Sequence, residues 1–377
     1  MTGGETETMA SKVYFADIRS RSSQDSLPEK VNKLFKAAGF AGMVGKDELV
    51  AVKLHFGEKG STAFVSPVLV RQVVDRIKEA GGKPFLTDTN TLYVGSRSNS
   101  VDHMQTAVEN GFSYATVNAP LIIADGLFGK NFVEVAIHGE HFETVKIGSE
   151  IANADMLIVL SHTKGHILSG YGGAIKSLGM GCGNRGGKQM MHSTVKPKVR
   201  EEACRGCGTC LKWCPADAIQ IENKKALIDS EKCLGCGECA VVCQALAIKV
   251  QWKSESVDMQ KRMAEYAWGA IREKQGKVGF FNFVINVTPE CDCHGWSDAY
   301  MVQDVGILAS SDPVAIDQAS LDLINSQAGR HDSLLKSNFL PGEDKFRGVY
   351  PETDHEAQLR HAEKLGMGSR EYELVRI

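Results

Sequence analysis

Apolar and polar positions change their period several times along this chain, and each change marks an element. Short, mostly apolar runs recur at Lys12–Ile18, Leu49–Phe56, Lys83–Asp88, Leu121–Asp125, Met156–Ser161 and Phe280–Val287, as expected of strands covered on both faces. Between them, Leu27–Ala38, Pro67–Ala80 and Val101–Asn110 carry apolar residues at helical spacing. Ser66 followed by Pro67 supplies an N-cap and a first-turn proline, and Gly81–Gly82 a stop. Further on, the pattern predicts a helix near Val257–Glu273 and another opened by Asp312–Pro313 and running to about Gln327. The tail after Arg330 reads as loop with one helix near His355–Leu365. Residues up to about Met9 read as a frayed end. Strands alternating with helices define an α/β body with a mostly parallel sheet. The longest apolar runs, such as Met156–Leu160, have the length of a strand, so no membrane span is expected.

The α/β pattern stops at about Lys198 and resumes after Val250. The expected organisation is one α/β body formed by 1–197 and 251–377, interrupted by a module at 198–250. Independent flanking domains would each need a sheet, and the C-terminal part has too few strands for one. Eight of the eleven cysteines fall within Cys204–Cys243, in the runs CRGCGTCLKWCP and CLGCGECAVVCQ, each spaced by three, three and four residues. That is the two-cluster ferredoxin pattern, in which three close thiolates hold one cube and the fourth reaches the other. The ligand sets are then Cys204, Cys207, Cys210 and Cys243 for one 4Fe-4S cluster, and Cys233, Cys236, Cys239 and Cys214 for the second.

Gly206, Gly208, Gly235 and Gly237 let backbone N–H groups approach the sulfurs. Ala218–Ile221 and Ala247–Val250 read as the short strands of an α+β ferredoxin-like repeat. Gln244 stands where the first run has Pro215, which alters a turn and not a ligand. Zinc knuckles would use paired C-x-x-C motifs or Cys/His mixtures, and no His lies between residues 193 and 293. Trp213, beside Cys214, is expected to shield a cluster from water and lower its potential.

Charge narrows the partners. With 43 Lys+Arg against 46 Asp+Glu in 377 residues, and no polybasic run, the chain offers no field for nucleic acid. Its first residues carry acids and no apolar h-region, which predicts a cytoplasmic protein whose thiols stay reduced and available to metals.

A second chemical centre lies just before the cysteine block, in LIVLSHTKGHILSGYGGAIKSLGMGCGNRGGKQMMHS. His162, Lys164, His166, Lys176, Cys182, Arg185, Lys188 and His192 fall within thirty-one residues, directly after a strand, and open α/β sheets bind ligands at strand carboxyl ends. His162 and His166 are catalytic candidates on that ground. The strand runs into a Gly-rich polar loop, which fails the P-loop template because Cys182 stands at its first glycine and Gln189 follows Lys188. It can still cradle an anionic substrate, with Arg185 and Lys188 as counter-charges.

Cys182 also faces a further question with Cys291 and Cys293 of TPECDCHGWSD. If both loops share a sheet edge, three thiolates converge on a third metal site, either another 4Fe-4S cluster or a single zinc or nickel with an open position. The alternative is three separate thiols. Asp88 and Asp125 end predicted strands and can orient a catalytic group, bind a cation, or serve as turn residues. His55 and His138 read as structural.

These segments resemble a known family. KLHFGEKGSTAFVSP (Lys53–Pro67), FLTDTNTLYVGSR (Phe85–Arg97), LIIADGLFG (Leu121–Gly129), GGAIKSLGMGCGNRGGKQMMHS (Gly172–Ser193) and CDCHGWSDAYMVQDVGILASSDPVAID (Cys291–Asp317) are similar to the proteins grouped as domain of unknown function family 362, many of which carry a two-cluster ferredoxin insertion. The resemblance implies an iron-sulfur protein in a redox role. HILSGYGGAIK followed by MMHS also resembles the nickel-pincer lactate racemase motif: His166, then Lys176 ten residues on, then His192 sixteen further. That likeness implies Lys176 as the covalent cofactor anchor, His192 as a nickel ligand and His166 as a proton-transfer base.

The preferred function is an iron-sulfur oxidoreductase, exchanging electrons with a redox partner protein and passing them through two clusters to a small-molecule substrate or third metal site. A non-catalytic ferredoxin-type carrier or maturation partner is the alternative, and a racemase-like enzyme the second. An enzyme is preferred because a carrier needs only the cysteine block.

Overall fold

The computed structural model describes residues 10–93, 95–192, 196–214, 216–233, 238–249 and 256–377. The expected frayed end up to Met9 lies outside these residues, as do Pro215, Gly235, Cys236 and Gly237.

Seven strands form the central sheet: β1 (Ser11–Asp17), β2 (Leu49–Leu54), β3 (Lys83–Thr87), β4 (Met156–His162), β5 (Val278–Val284), β6 (Gly306–Ser310) and β7 (Tyr372–Arg376). Their order is β7-β1-β6-β5-β4-β2-β3. Every neighbouring pair is parallel except those of β6, which runs against β1 and β5. The α/β body with a mostly parallel sheet is therefore the observed architecture.

In β4, Leu157 and Val159 belong to one apolar cluster and Met156, Ile158 and Leu160 to the other. Both faces are covered, so the strand reads as an unbroken apolar run, and each fully buried aliphatic side chain contributes about 1.5–3 kcal/mol. Helices α1 (Leu27–Ala37) and α2 (Pro67–Glu79) lie on one face. Helices α3 (Ala174–Cys182) and α5 (Pro313–Asn325) lie on the other, with α4 (Ser256–Ile271) laid across α3.

Three expectations change. Leu121–Asp125 is not a strand: Leu121 makes a single bridge to Leu86, and two further hydrogen bonds to Leu86 and Asp88 carry the segment along the edge of β3 before it turns. The tail carries a strand besides its expected helix, because β7 forms the sheet edge against β1. The Gly-rich segment is mostly helix, comprising α3 and Arg185–Met191. There, glycine serves packing. A Cβ on Gly179 would strike the backbone carbonyl of Met263 in α4, so only glycine lets the two helices approach this closely.

Within the cysteine-rich region, Lys198–Val199 pairs antiparallel with Ile248–Lys249, and Ile219–Glu222 forms a hairpin with Lys225–Ile228. A small apolar cluster of its own contains Cys210, Ile219, Ala226, Cys239, Ala240, Val242 and Ile248.

The start of α3 is held from another helix. Gly173 has no side chain to cap it, and Asp317 of α5 accepts the N–H groups of Ala174 (2.7 Å) and Ile175 (2.9 Å) and the amide of Asn282 on β5 (2.7 Å). Burial pushes the Asp317 carboxyl up to about 6 against these hydrogen bonds. The folded chain thus holds this proton more tightly than the unfolded chain, so this residue's contribution to stability falls as pH rises through the interval up to about 6. Replacing Asp317 with Ala removes the acceptor of the buried Ala174 and Ile175 N–H groups and of the Asn282 amide and Tyr171 hydroxyl, and is expected to lower the unfolding free energy by about 3 kcal/mol. A chemical denaturation midpoint checks this, and an unchanged midpoint would remove Asp317 as the pin between α3, α5 and β5.

Candidate functional site

Strand β4 ends at His162, and the chain turns into a small hairpin, Lys164–His166 with Gly170–Gly172. The loop after β5 folds over this end and carries Cys291, Asp292 and Cys293. Asp292 is buried and holds the two segments together: its Oδ1 lies 2.8 Å from His162 Nδ1 and its Oδ2 3.0 Å from Lys164 Nζ. Burial alone would raise this carboxyl, yet His162 and Lys164 hold it well below the usual carboxylate range. The Gly165 N–H donates to the Thr288 carbonyl (2.8 Å), and a Cβ on Gly165 would run into the Pro289 carbonyl.

His162 faces acceptors on both sides, because its Nε2 lies 3.0 Å from the carbonyls of Ile285 and Asn286. With both ring nitrogens engaged, His162 positions the loop and does not present a nitrogen for the proton transfer suggested by its strand-end place.

Beneath this loop, Lys176 Nζ lies 3.4 Å from Cys291 Sγ, and the Cys293 N–H points to the same sulfur (3.4 Å). One nitrogen of His166 and the sulfurs of Cys291 and Cys293 lie within 4.8 Å of one another, a group able to hold a metal ion. The S–H of Cys293 and the Lys176 ammonium hold the Cys291 thiol well below its ordinary value, overriding burial. Cys293, donating to that sulfur, is pushed up. His166 Nδ1 accepts the N–H groups of Leu168 (3.2 Å) and Ser169 (3.1 Å), so in the neutral ring the proton sits on Nε2. Burial and Lys176 push His166 well down, and a metal at Nε2 has to displace that proton. His192, which caps Arg185–Met191, is buried and pushed down to about 4, first by burial and then by Lys176. Lys176 therefore acts electrostatically on His166, His192 and Cys291 together.

Cys182 is placed elsewhere and belongs to no three-residue ligand group among the described residues. It lies six residues beyond Lys176 on the same helix, about 9 Å along the axis and on a different face. Burial pushes its thiol up to about 12, against the nearby Lys53 and Lys188. The convergence of Cys182 with Cys291 and Cys293 is not the arrangement found.

Around Cys182 is a buried charge network whose core the sequence reading missed. Lys53 Nζ on β2 lies 3.6 Å from Asp88 and donates to Ser177 Oγ (3.0 Å), while Arg97 lies 3.6 Å from Asp88 and 3.2 Å from Glu58. Lys188 donates to the Gly183 carbonyl (2.7 Å) and to Thr89, and burial lowers it to about 8. Asp125 accepts from Asn90 N (3.0 Å) and Nδ2 (2.8 Å) and is raised to about 6 by burial. The one available signal was a lysine inside the apolar run of β2. Arg185 is buried too, and burial lowers it. His55 accepts from the Gly57 N–H (3.0 Å), and His138 pairs with Glu143 at the surface (2.8 Å).

In the cysteine-rich region, Cys204, Cys207, Cys210 and Cys243 line one small, partly open cavity, with Ile221, Ala226 and Ile248 among its walls. Backbone N–H groups donate to sulfur from Ala226 to Cys204 (3.3 Å), from Ala218 to Cys214 (3.2 Å) and from Ala247 to Cys243 (3.3 Å). The last two pairs repeat one local geometry at the end of each cysteine run. Of the second set, Cys214, Cys233 and Cys239 are described and Cys236 lies outside the described residues. Trp213 is half exposed, with Lys130 Nζ 4.5 Å from its ring centre.

The fold and this arrangement define an α/β protein with thiols, imidazoles and an ammonium gathered at the carboxyl end of its central strand. The family described as Domain of unknown function (DUF362) matches residues 50–322, and the chain belongs to it. No curated protein matches. Among solved structures, the chain is similar to the lactate racemase apoprotein from Thermoanaerobacterium thermosaccharolyticum, at 14% identity and TM-score 0.34 over 68% of this chain and 49% of that one. A protein from Thermotoga maritima matches at 11% identity and TM-score 0.38, over 91% of this chain and 59% of its own. The chain thus spans about half the length of the racemase. Among the described residues, no helix is long and apolar enough to cross a membrane.

The thiols differ enough to be told apart chemically. In metal-free protein at pH 7, iodoacetamide is expected to label the Cys291–Cys293 pair at least about tenfold faster than Cys182, and Lys176→Gln to slow that labelling several-fold. Peptide mass spectrometry reads both, and equal rates for the three cysteines would overturn the assignment.

Proposed function

We propose that the chain is an iron-sulfur oxidoreductase, in which residues 198–250 form an inserted module for two 4Fe-4S clusters and the α/β body carries the reacting site at Cys291, Cys293, His166, Lys176 and His192. The observation that carries the reading is the cavity whose four cysteines are the set that the spacing arithmetic assigns to one cube. The donors fit the group: four thiols converge, and main-chain N–H groups already point at their sulfurs. When bound, such clusters supply one-electron carriers.

The protein's own residues do the rest. N–H donors at Cys204, Cys214 and Cys243 stabilise negative charge on sulfur. Cys207 is exposed, which suits electron exchange with a redox partner protein at that end. Helix Glu238–Val242, which contains Cys239, packs against Arg185–Met191, whose C-cap is His192. Cys239 therefore stands on the side of the α/β body. There, Lys176 holds anionic sulfur or an anionic small-molecule substrate, His166 offers an Nε2 proton, and Asp292 with His162 and Lys164 fixes the loop.

One observation favours a second reading, a nickel-pincer racemase-like enzyme: the Lys176 charge acts on both His166 and His192, so the three residues of that motif are electrostatic neighbours.

Anaerobically purified protein is expected to contain about eight iron and eight inorganic sulfide per chain, falling by about half in Cys207→Ser with Cys210→Ser. A colourless preparation free of sulfide overturns the redox reading. A covalent mass adduct present in the native chain and absent in Lys176→Ala would select the second.

A further inference from the structure

Away from the strand ends, three elements distant in sequence meet at His141, Glu265 and His361. His141 lies in the turn of the hairpin formed by Phe132–Ala136 and Thr144–Gly148, Glu265 on α4, and His361 on the helix Ala357–Lys364. Glu265 is fully buried. Its Oε1 accepts the main-chain N–H groups of Glu140 and His141, both at 3.0 Å. The same oxygen faces His141 Nδ1 at 3.0 Å and His361 Nε2 at 3.1 Å. Its Oε2 accepts from Phe142 N (2.9 Å) and, more weakly, from His141 N (3.1 Å).

An ionised carboxylate offers about four lone-pair sites, and three main-chain N–H groups, from Glu140, His141 and Phe142, take three of them. Two ring nitrogens are thus left to share about one remaining site, which a single cation placed between them can use on behalf of both. The far side of each imidazole adds a second observation. His141 Nε2 lies 3.9 Å from Asp258, and His361 Nδ1 lies 4.0 Å from Glu140. These separations exceed a hydrogen bond, so each carboxylate stands behind its ring as a longer-range negative charge and leaves the tautomer open. The ligand atoms of the three residues lie within 4.8 Å of one another.

We propose that His141, Glu265 and His361 bind a zinc-class divalent cation, forming a clasp between the hairpin turn, α4 and the helix Ala357–Lys364. One cation replaces the two ring protons crowded on Oε1. Two imidazoles and a carboxylate suit zinc and its neighbours, whereas magnesium and calcium favour all-oxygen sets and cuprous ion favours thiolates. A water completes the ligand set. Asp258 and Glu140 are exposed and His141 is 13% exposed, which gives the ion a path from solvent. The clasp is independent of the redox reading and survives its failure.

The test uses full-length protein purified without nickel resin and with any native metal left in place. After equilibration with zinc and removal of the excess, elemental analysis is expected to find about one zinc per chain in Cys291→Ser, which removes the competing thiolate, and none in the double variant Cys291→Ser with His361→Gln. Glutamine keeps a donor for Glu265, so a purely hydrogen-bonded cluster predicts no zinc-dependent difference. Added zinc is expected to raise the thermal midpoint of Cys291→Ser by at least about 3 °C and leave the double variant unmoved. Should His361→Gln fail to fold, His141→Gln replaces it. Equal zinc in the single and double variants, or none in either, overturns the proposal.

Discussion

A single buried carboxylate makes the candidate site possible. Asp292 is removed from water, which for an unpaired charge is strongly unfavourable, and it is tolerated because His162 and Lys164 meet its two oxygens. The pairing is more than local. His162 closes the central strand and Asp292 belongs to a loop 130 residues later, so the ion pair sets where Cys291 and Cys293 lie relative to Lys176 and His166. Removing one partner of such a pair typically costs about 3–5 kcal/mol, because the remaining charges stay buried. The loop is thus tied down by electrostatics, while the hairpin beneath it admits the Pro289 carbonyl only because residue 165 is glycine.

What the sequence made legible follows from the range of the interactions involved. Strands β1 to β5 were readable because each is an apolar run covered on both faces. Helix α2 carried its own punctuation in Ser66–Pro67. The cysteine repeat was readable because its spacing is local. β6 and β7 were not: β6, though buried, carries only Ile307 and Leu308 as large apolar residues, and β7 is a half-exposed edge with little apolar contrast. Glycine density misled most: Gly179 packs two helices together, whereas the same composition in a loop cradles anions. The charge network joins Lys53 to Asp88 and Lys188 to Thr89, contacts between residues 35 and 99 positions apart, which no periodicity encodes.

The thiols show how environment overrides residue type. Cys182 and Cys291 are both buried cysteines near lysines. For Cys182, loss of water dominates, and Lys53 is already engaged with Asp88 and Ser177. For Cys291, a second thiol donates directly to the sulfur, and Lys176 stands 3.4 Å away. A contact hydrogen bond and an adjacent cation outweigh burial; charges already paired elsewhere do not. Reactivity therefore belongs to the turn Cys291-Asp-Cys293, although sequence position alone gave the three cysteines equal standing.

Lys176 ties these parts into one chemical unit. A fixed positive charge among two imidazoles and two thiols favours neutral rings and anionic sulfur at the same time, since it repels protons from every neighbour. That combination presents lone pairs and a thiolate where a protein interior ordinarily presents protonated, inert groups. It is the state needed to bind a thiophilic metal or to exchange a proton with a substrate, and it is present before any ligand arrives. The ammonium's own stability rests on the sulfur it stabilises, because burial opposes its charge and Cys291 and Cys293 restore it. Lys176 and Cys291 thus fix each other's charge, and the loop position set by Asp292 decides whether they meet.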